Sequence, residues 1–129
     1  MAPKFTQVNL GDVDDAAPGN GFGEVWEARV ARTALDAEET GITLFRLKPG
    51  RRSAFAHRHE RAEEIYVILR GNGRMKLDDR VVDVHTLDAI RVSPAVTRAF
   101  EAGAAGLEYL VVGPHRAKDG EVVADPWIA

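Results

Sequence analysis

The 129-residue chain contains no cysteine. Disulfides, thiolate metal ligands and a cysteine nucleophile are therefore excluded. No apolar run approaches the length of a membrane span, and Met1 to Gly11 lacks a secretory leader pattern, so the expectation is a cytoplasmic protein with no membrane partner. Positive charge is not in excess either. Lys and Arg total 17 against 20 Asp and Glu, a net charge of −3, and no basic block occurs. A nucleic-acid partner is not expected, and no helix-turn-helix segment is present. Serine is scarce: Ser53 and Ser93 stand outside any nucleophile-elbow context. Gly19-Asn20-Gly21-Phe22-Gly23 lacks the Lys-Ser/Thr ending of a phosphate-cradling loop. There is no internal repeat, and the length suits one domain.

What is present concentrates in GRRSAFAHRHERAEEIYVILRG, Gly50 to Gly71. His57 and His59 are two apart, so on a β-strand both imidazoles project from one face. Glu63 and Glu64 follow, at the head of the β-branched and aromatic run Ile65-Tyr66-Val67-Ile68-Leu69. Two imidazoles and one carboxylate form a ligand set for a borderline divalent ion, with Fe, Mn, Ni, Cu and Zn as candidates. The bland alternative is a pair of histidines hydrogen-bonded in a polar pocket. Glu64 is preferred to Glu63 by strand parity, although a bulge would reverse the choice.

The remainder of the chain reads as short strands divided by turn signals. Residues 1–23 are rich in Asp, Gly and Pro and read as a surface arm, or as a segment packed on a partner subunit. Gly23 to Thr33 alternates and reads as a strand. Leu35 to Gly41 is a polar connection, and Ile42 to Leu47 a strand with Phe45 on one of its faces. The histidine strand spans roughly Ser53 to His59, with Phe55 on the histidine face. Gly71 to Gly73 is expected to turn the chain, Asp78-Asp79 to make a hairpin, and Ala102 to Gly106 to make a second turn before the apolar strand Leu107 to Val112. Close-spaced strands without a helical period predict an all-β sandwich or barrel. The boundaries expected are an arm over 1–23, a barrel over 24–113 and a tail over 114–129. Trp127 in that tail is expected to dock on the barrel or a neighbouring subunit.

The stretch from about Ile42 to Val112 resembles the cupin superfamily. His57-x-His59, four residues, Glu64, six residues and Gly71 follow its first motif, with six residues rather than five between Gly50 and His57. In the second motif Ser93-Pro94 and Phe100 fit, but Ala95 replaces a glycine and Arg98 replaces the histidine that is the family's usual fourth metal ligand. The resemblance implies an all-β, single-domain jelly-roll barrel. It also implies a metal held by His57, His59 and Glu64, a small-molecule ligand, no organic cofactor and a homodimer.

Arg98 is permanently charged. It could swing outward, form a bidentate ion pair with Glu64 in the metal's place, or stand beside the metal and clamp an anionic substrate. Tyr66 shares the face of Glu64 and either lines the pocket or sits in the core. Phe45, Phe55, Met75, Leu77 and Phe100 are expected as an apolar pocket wall. His85 reads as a surface residue and His115 as a poor ligand. Two functional readings follow: a metal-dependent enzyme of oxygenase, decarboxylase or isomerase type, or a metal-free binding module.

Overall fold

The Val-, Ile-, Phe- and Tyr-rich runs become strands in a computed structural model, which describes residues 4–123 and Trp127. The strands are β1 (Trp26–Val30), β2 (Thr40–Leu47), β3 (Ala56–His59), β4 (Glu64–Leu77), β5 (Arg80–His85), β6 (Ala89–Val92), β7 (Arg98–Pro114) and β8 (Gly120–Val123). All pairings are antiparallel, and one path through the sheet runs β1-β2-β7-β3-β8. β4 pairs with β5, β6 and β7. The sheet curls into the expected all-β barrel.

Both expected glycine turns are instead bends within long strands. β4 runs unbroken through Gly71-Asn72-Gly73, and β7 through Ala102 to Gly106. The two strands pair over most of their length, with register shifts between Ile68 and Arg70 and between Gly71 and Gly73. A bulge bends a strand without ending it, so turn-type residues there do not make a hairpin. The parity change is visible in burial. Tyr66 and Ile68 are buried before the bulges, and Met75 after them. Gly71 adopts φ +83°, and a Cβ there would strike the carbonyl oxygen of Gly106. Only glycine satisfies both conditions. The Asp78-Asp79 hairpin between β4 and β5 is as expected.

At the N-terminal end, residues 13–22 lie against their own barrel. Asp15 pairs with Arg29, and its Oδ1 accepts the Ala17 and Ala28 amides at 2.9 Å. Ala17 is buried, and Phe22 packs on Trp26 and Phe55. The segment after Pro114 is more than a tail, because β8 pairs with the histidine strand β3 from Ala56↔Val123 to His59↔Gly120. Trp127 does dock on the barrel. The Arg52 and Arg74 guanidinium carbons lie 4.9 and 5.7 Å from its ring centroid, within cation–π range. Its neighbours Pro126 and Ile128 lie outside the described residues.

The core fills the barrel with aromatic rings. Phe100 stacks on Tyr109 at 4.2 Å between centroids, and Tyr109 on Phe45 at 5.3 Å. At one end of this stack the apolar filling stops and charged groups begin.

Candidate metal centre

Three strands bring the charged groups together. β3 supplies His57 and His59, β4 supplies Glu64 and Tyr66, and β7 supplies Arg98, which pairs directly with His57 across the sheet. Strand parity does the aiming. His57 and His59 share one face of β3, and Glu64 and Tyr66 share one face of β4.

One oxygen is the focus. Glu64 Oε1 lies 3.3 Å from His57 Nε2 and 3.3 Å from His59 Nε2. It accepts the Tyr66 hydroxyl at 2.9 Å. Ligand atoms of His57, His59 and Glu64 all fall within 4.8 Å of one another. Two ligands bound at about 2.1 Å to one ion, at 90–110° to each other, stand roughly 3.0–3.4 Å apart. Both His–Glu separations meet that requirement. His59 Nε2 is buried and has no hydrogen-bond partner. A buried nitrogen without a partner is costly unless something occupies its lone pair. The donor set, the spacing and this orphaned nitrogen all fit a divalent ion.

The protonation pattern supports the same geometry. Burial alone would push the Glu64 carboxyl up. The hydrogen bond from His57, the His57 and His59 charges and the Tyr66 hydrogen bond outweigh it and hold the group below its ordinary value. Burial pushes the Tyr66 hydroxyl well above its ordinary value, and the Glu64 charge adds to this. Tyr66 therefore stays protonated and donates. Glu63 points away, is exposed and pairs with Arg91 at 3.1 Å. The parity argument for Glu64 holds, with no bulge at this point of β4.

Sequence reasoning missed Asp119. Its side chain is only 3% exposed, in the turn just before β8. It accepts the Arg61 and Ala62 amides, both at 2.9 Å, and lies 3.2 Å from His59 Nδ1. Burial would raise its carboxyl, but the Ala62 and Arg61 amides and then His59 lower it overall. An ionised carboxylate only accepts, so His59 Nδ1 donates to Asp119 and Nε2 is the ring nitrogen that faces Glu64. Such a carboxylate–histidine pair is how metal-binding imidazoles are commonly fixed. One acid in a charged segment gave no pattern to find; the β-branched pair Val122-Val123 was the available hint that this segment is a strand.

Arg98 does not swing outward. It is 1% exposed. Its Nη2 donates to the Ser93 carbonyl at 2.9 Å. Its Nη1 is 3.8 Å from Glu64 Oε1, beyond hydrogen-bond range, so the expected bidentate pair is not formed. Arg98 Nε and Nη1 are buried without hydrogen-bond partners. Arg98, Tyr66, Phe45, Phe55 and Phe100 line one enclosed cavity of about 40 Å³, together with His57. Met75 and Leu77 belong to the core packing and are not among its lining residues. His85 is exposed, as expected.

The comparisons with known proteins agree with this architecture. The family pattern described as a cupin domain matches residues 43–113. No curated protein matches the chain in sequence. Among solved structures, a cupin protein from Bacteroides fragilis is 18% identical, with a TM-score of 0.71 over 90% of this chain and 88% of that one. The polyketide cyclase RemF from Streptomyces resistomycificus is 24% identical, with a TM-score of 0.73 over 91% and 84%. Oxalate decarboxylase from Bacillus subtilis is 18% identical, with a TM-score of 0.74 over 95% of this chain but only 32% of its own. Likeness at these identities establishes the fold and leaves the reaction open. The family match covers more than half of the chain, and the barrel is of the same architecture: this protein belongs to the cupin family.

Proposed function

We propose that this cupin holds a divalent metal with His57, His59 and Glu64, and that it binds and transforms a small organic anion beside that metal. The observation that carries the reading is the convergence of three ligand atoms at coordination spacing, one of them the orphaned His59 Nε2. Three protein ligands leave coordination positions open, and an ion bound there would supply Lewis-acid or redox chemistry. The chain's own residues do the rest. Asp119 fixes the His59 ring, and Tyr66 keeps one hydrogen bond on Glu64. Arg98 offers two unpaired N–H groups to an acidic group entering the cavity. The aromatic walls leave room beside Arg98 for only a small group. Oxygenation, decarboxylation and isomerisation are all compatible with such a site.

The test is elemental analysis of protein purified without chelator, beside a His57→Ala/His59→Ala variant. Near-stoichiometric Fe, Mn, Ni, Cu or Zn, lost in the variant, is the expected result. Equal metal in both would end this reading.

The competing reading is a metal-free binding module with a Glu64–Arg98 ion pair. Arg98 in the fourth-ligand position and its ion pair with Glu64 at 3.8 Å favour it; the lack of a bidentate hydrogen bond between them does not. Protein that stays metal-free after incubation with each ion, and gains a metal only after Arg98→His, would decide for the module.

A further inference from the structure

The triad stands between two spaces. His57, Tyr66 and Arg98 line the enclosed cavity of about 40 Å³. On the other side, His59 and Glu64 line a second cavity of about 180 Å³ at the barrel mouth, with Arg32 and Arg116 on its wall. Here β2 and β7 contribute the directly paired Gly41 and Gly113 to the wall.

The mouth arginines lack an acidic partner. On the outer faces Arg29, Arg46, Arg58, Arg74 and Arg91 each meet a glutamate. Among the described residues Arg32 and Arg116 make no ion pair, and Arg32 Nε is buried without a hydrogen-bond partner. Guanidinium groups that line a cavity without an ion-pair partner are suited to carboxylate ligands. Arg98, with two buried and unpaired nitrogens, offers the same chemistry on the far side of the triad.

Charge balance sets the sign. Once a divalent ion binds, Glu64 and Arg98 cancel each other and Asp119 is matched by Arg61 at 3.7 Å, while the ion, Arg32 and Arg116 leave an excess of positive charge. Uncompensated buried charge is strongly unfavourable. A ligand with two negative charges lowers that excess more than a monoanion does. Size sets the other limit. A water needs roughly 10–15 Å³ of such space, so the inner cavity takes about three waters or one carboxylate. The mouth is well below the roughly 300 Å³ at which pockets for drug-sized ligands begin.

Resting on the metal reading above, we propose that the ligand is a short aliphatic dicarboxylate: one carboxylate against Arg98 in the inner cavity, the other held by Arg32 and Arg116 at the mouth, the metal between them. The three arginines act as positioning and specificity residues for a dianion.

Calorimetric titration of zinc-loaded protein tests this, with malonate, succinate and glutarate set against the monoanions acetate, propionate and butyrate. At least one dianion should bind tenfold or more tighter than its monoanion counterpart, the discrimination that one added charge-assisted contact supplies. Arg32→Gln/Arg116→Gln should reduce that preference to about threefold or less while zinc uptake and the melting profile persist. Arg32→Lys/Arg116→Lys, which keeps the charge, should retain part of it. Equal binding of dianions and monoanions, or a preference unchanged in the Gln variant, overturns the proposal and leaves the metal reading standing. Failure to load zinc or any other candidate ion overturns both.

Discussion

Replacing Arg98 by glutamine should make the protein bind metal more tightly. In the ion-free site the guanidinium attracts the Glu64 carboxylate across 3.8 Å. At an effective dielectric near 20 that attraction is about 4 kcal/mol. An ion bound to the same oxygen carries two positive charges and faces the same guanidinium, a gross repulsion on the order of 6 kcal/mol. The attraction to Glu64 persists when the ion binds, so only the repulsion opposes binding, and it vanishes in Arg98→Gln. Relaxation and water penetration cancel most of it. If four-fifths is lost, about 1.2 kcal/mol survives, or roughly an 8-fold gain in affinity. Glutamine keeps a donor for the Ser93 carbonyl, which Arg98 contacts at 2.9 Å, so the local fold has a reason to persist. Competition for zinc against a chromophoric chelator, with no carboxylate buffer present, measures the difference. Equal or weaker zinc binding by Arg98→Gln, with an unchanged circular dichroism spectrum, would refute the electrostatic reasoning.

Asp119→Asn should lower metal affinity by about 10- to 100-fold, the usual effect of losing a carboxylate behind a ligating imidazole. Nitrogen-15 NMR should show His59 no longer held with its proton on Nδ1, and an unchanged spectrum would remove Asp119 from the site. Gly71→Ala should cost about 3 kcal/mol, because it combines positive φ with the Gly106 carbonyl clash. Thermal melting should fall by roughly 10 °C, and a fall under about 2 °C would mean that the β4–β7 bend relaxes easily. Glu101 is held below its ordinary value by the Arg52 hydrogen bond and then the Arg74 hydrogen bond. A depressed carboxylate stabilises the fold above its unfolded pKa near 4.5 and loses that contribution as pH falls through the folded value. Glu101→Gln should therefore flatten the acid side of the stability–pH curve and leave its slope near pH 7 unchanged.

How far the sequence disclosed this site depends on the range of each signal. His57, His59, Glu64 and Tyr66 obey strand parity inside two short segments, a local rule. Gly71 and Gly106 look like turns locally and become bends because β4 and β7 pair over nearly their whole length, a fact no local window contains. Asp119 acts on a histidine 60 residues away, and Arg32 and Arg116 meet at the mouth only when the barrel closes. Arg98 was legible as an anomaly in the second motif. Its burial, and the 3.8 Å that keeps it from forming a bidentate pair, were not.

That anomaly changes what ion binding depends on. A site with four protein ligands holds its ion with the protein alone. Here the fourth position is a cation, so an anion that neutralises Arg98 also removes the repulsion facing the ion. The two ligands should therefore stabilise each other, and linkage requires equal factors in both directions. Succinate at saturation should raise zinc affinity by the factor by which saturating zinc raises succinate affinity, within titration error. A coupling factor of tenfold or more is expected in the unaltered protein, shrinking in Arg98→Gln because that variant has no guanidinium left to neutralise. Zinc and succinate titrated in either order on both proteins close this thermodynamic cycle. Coupling that is absent, or undiminished in Arg98→Gln, would mean that Arg98 is not the group that joins the two sites.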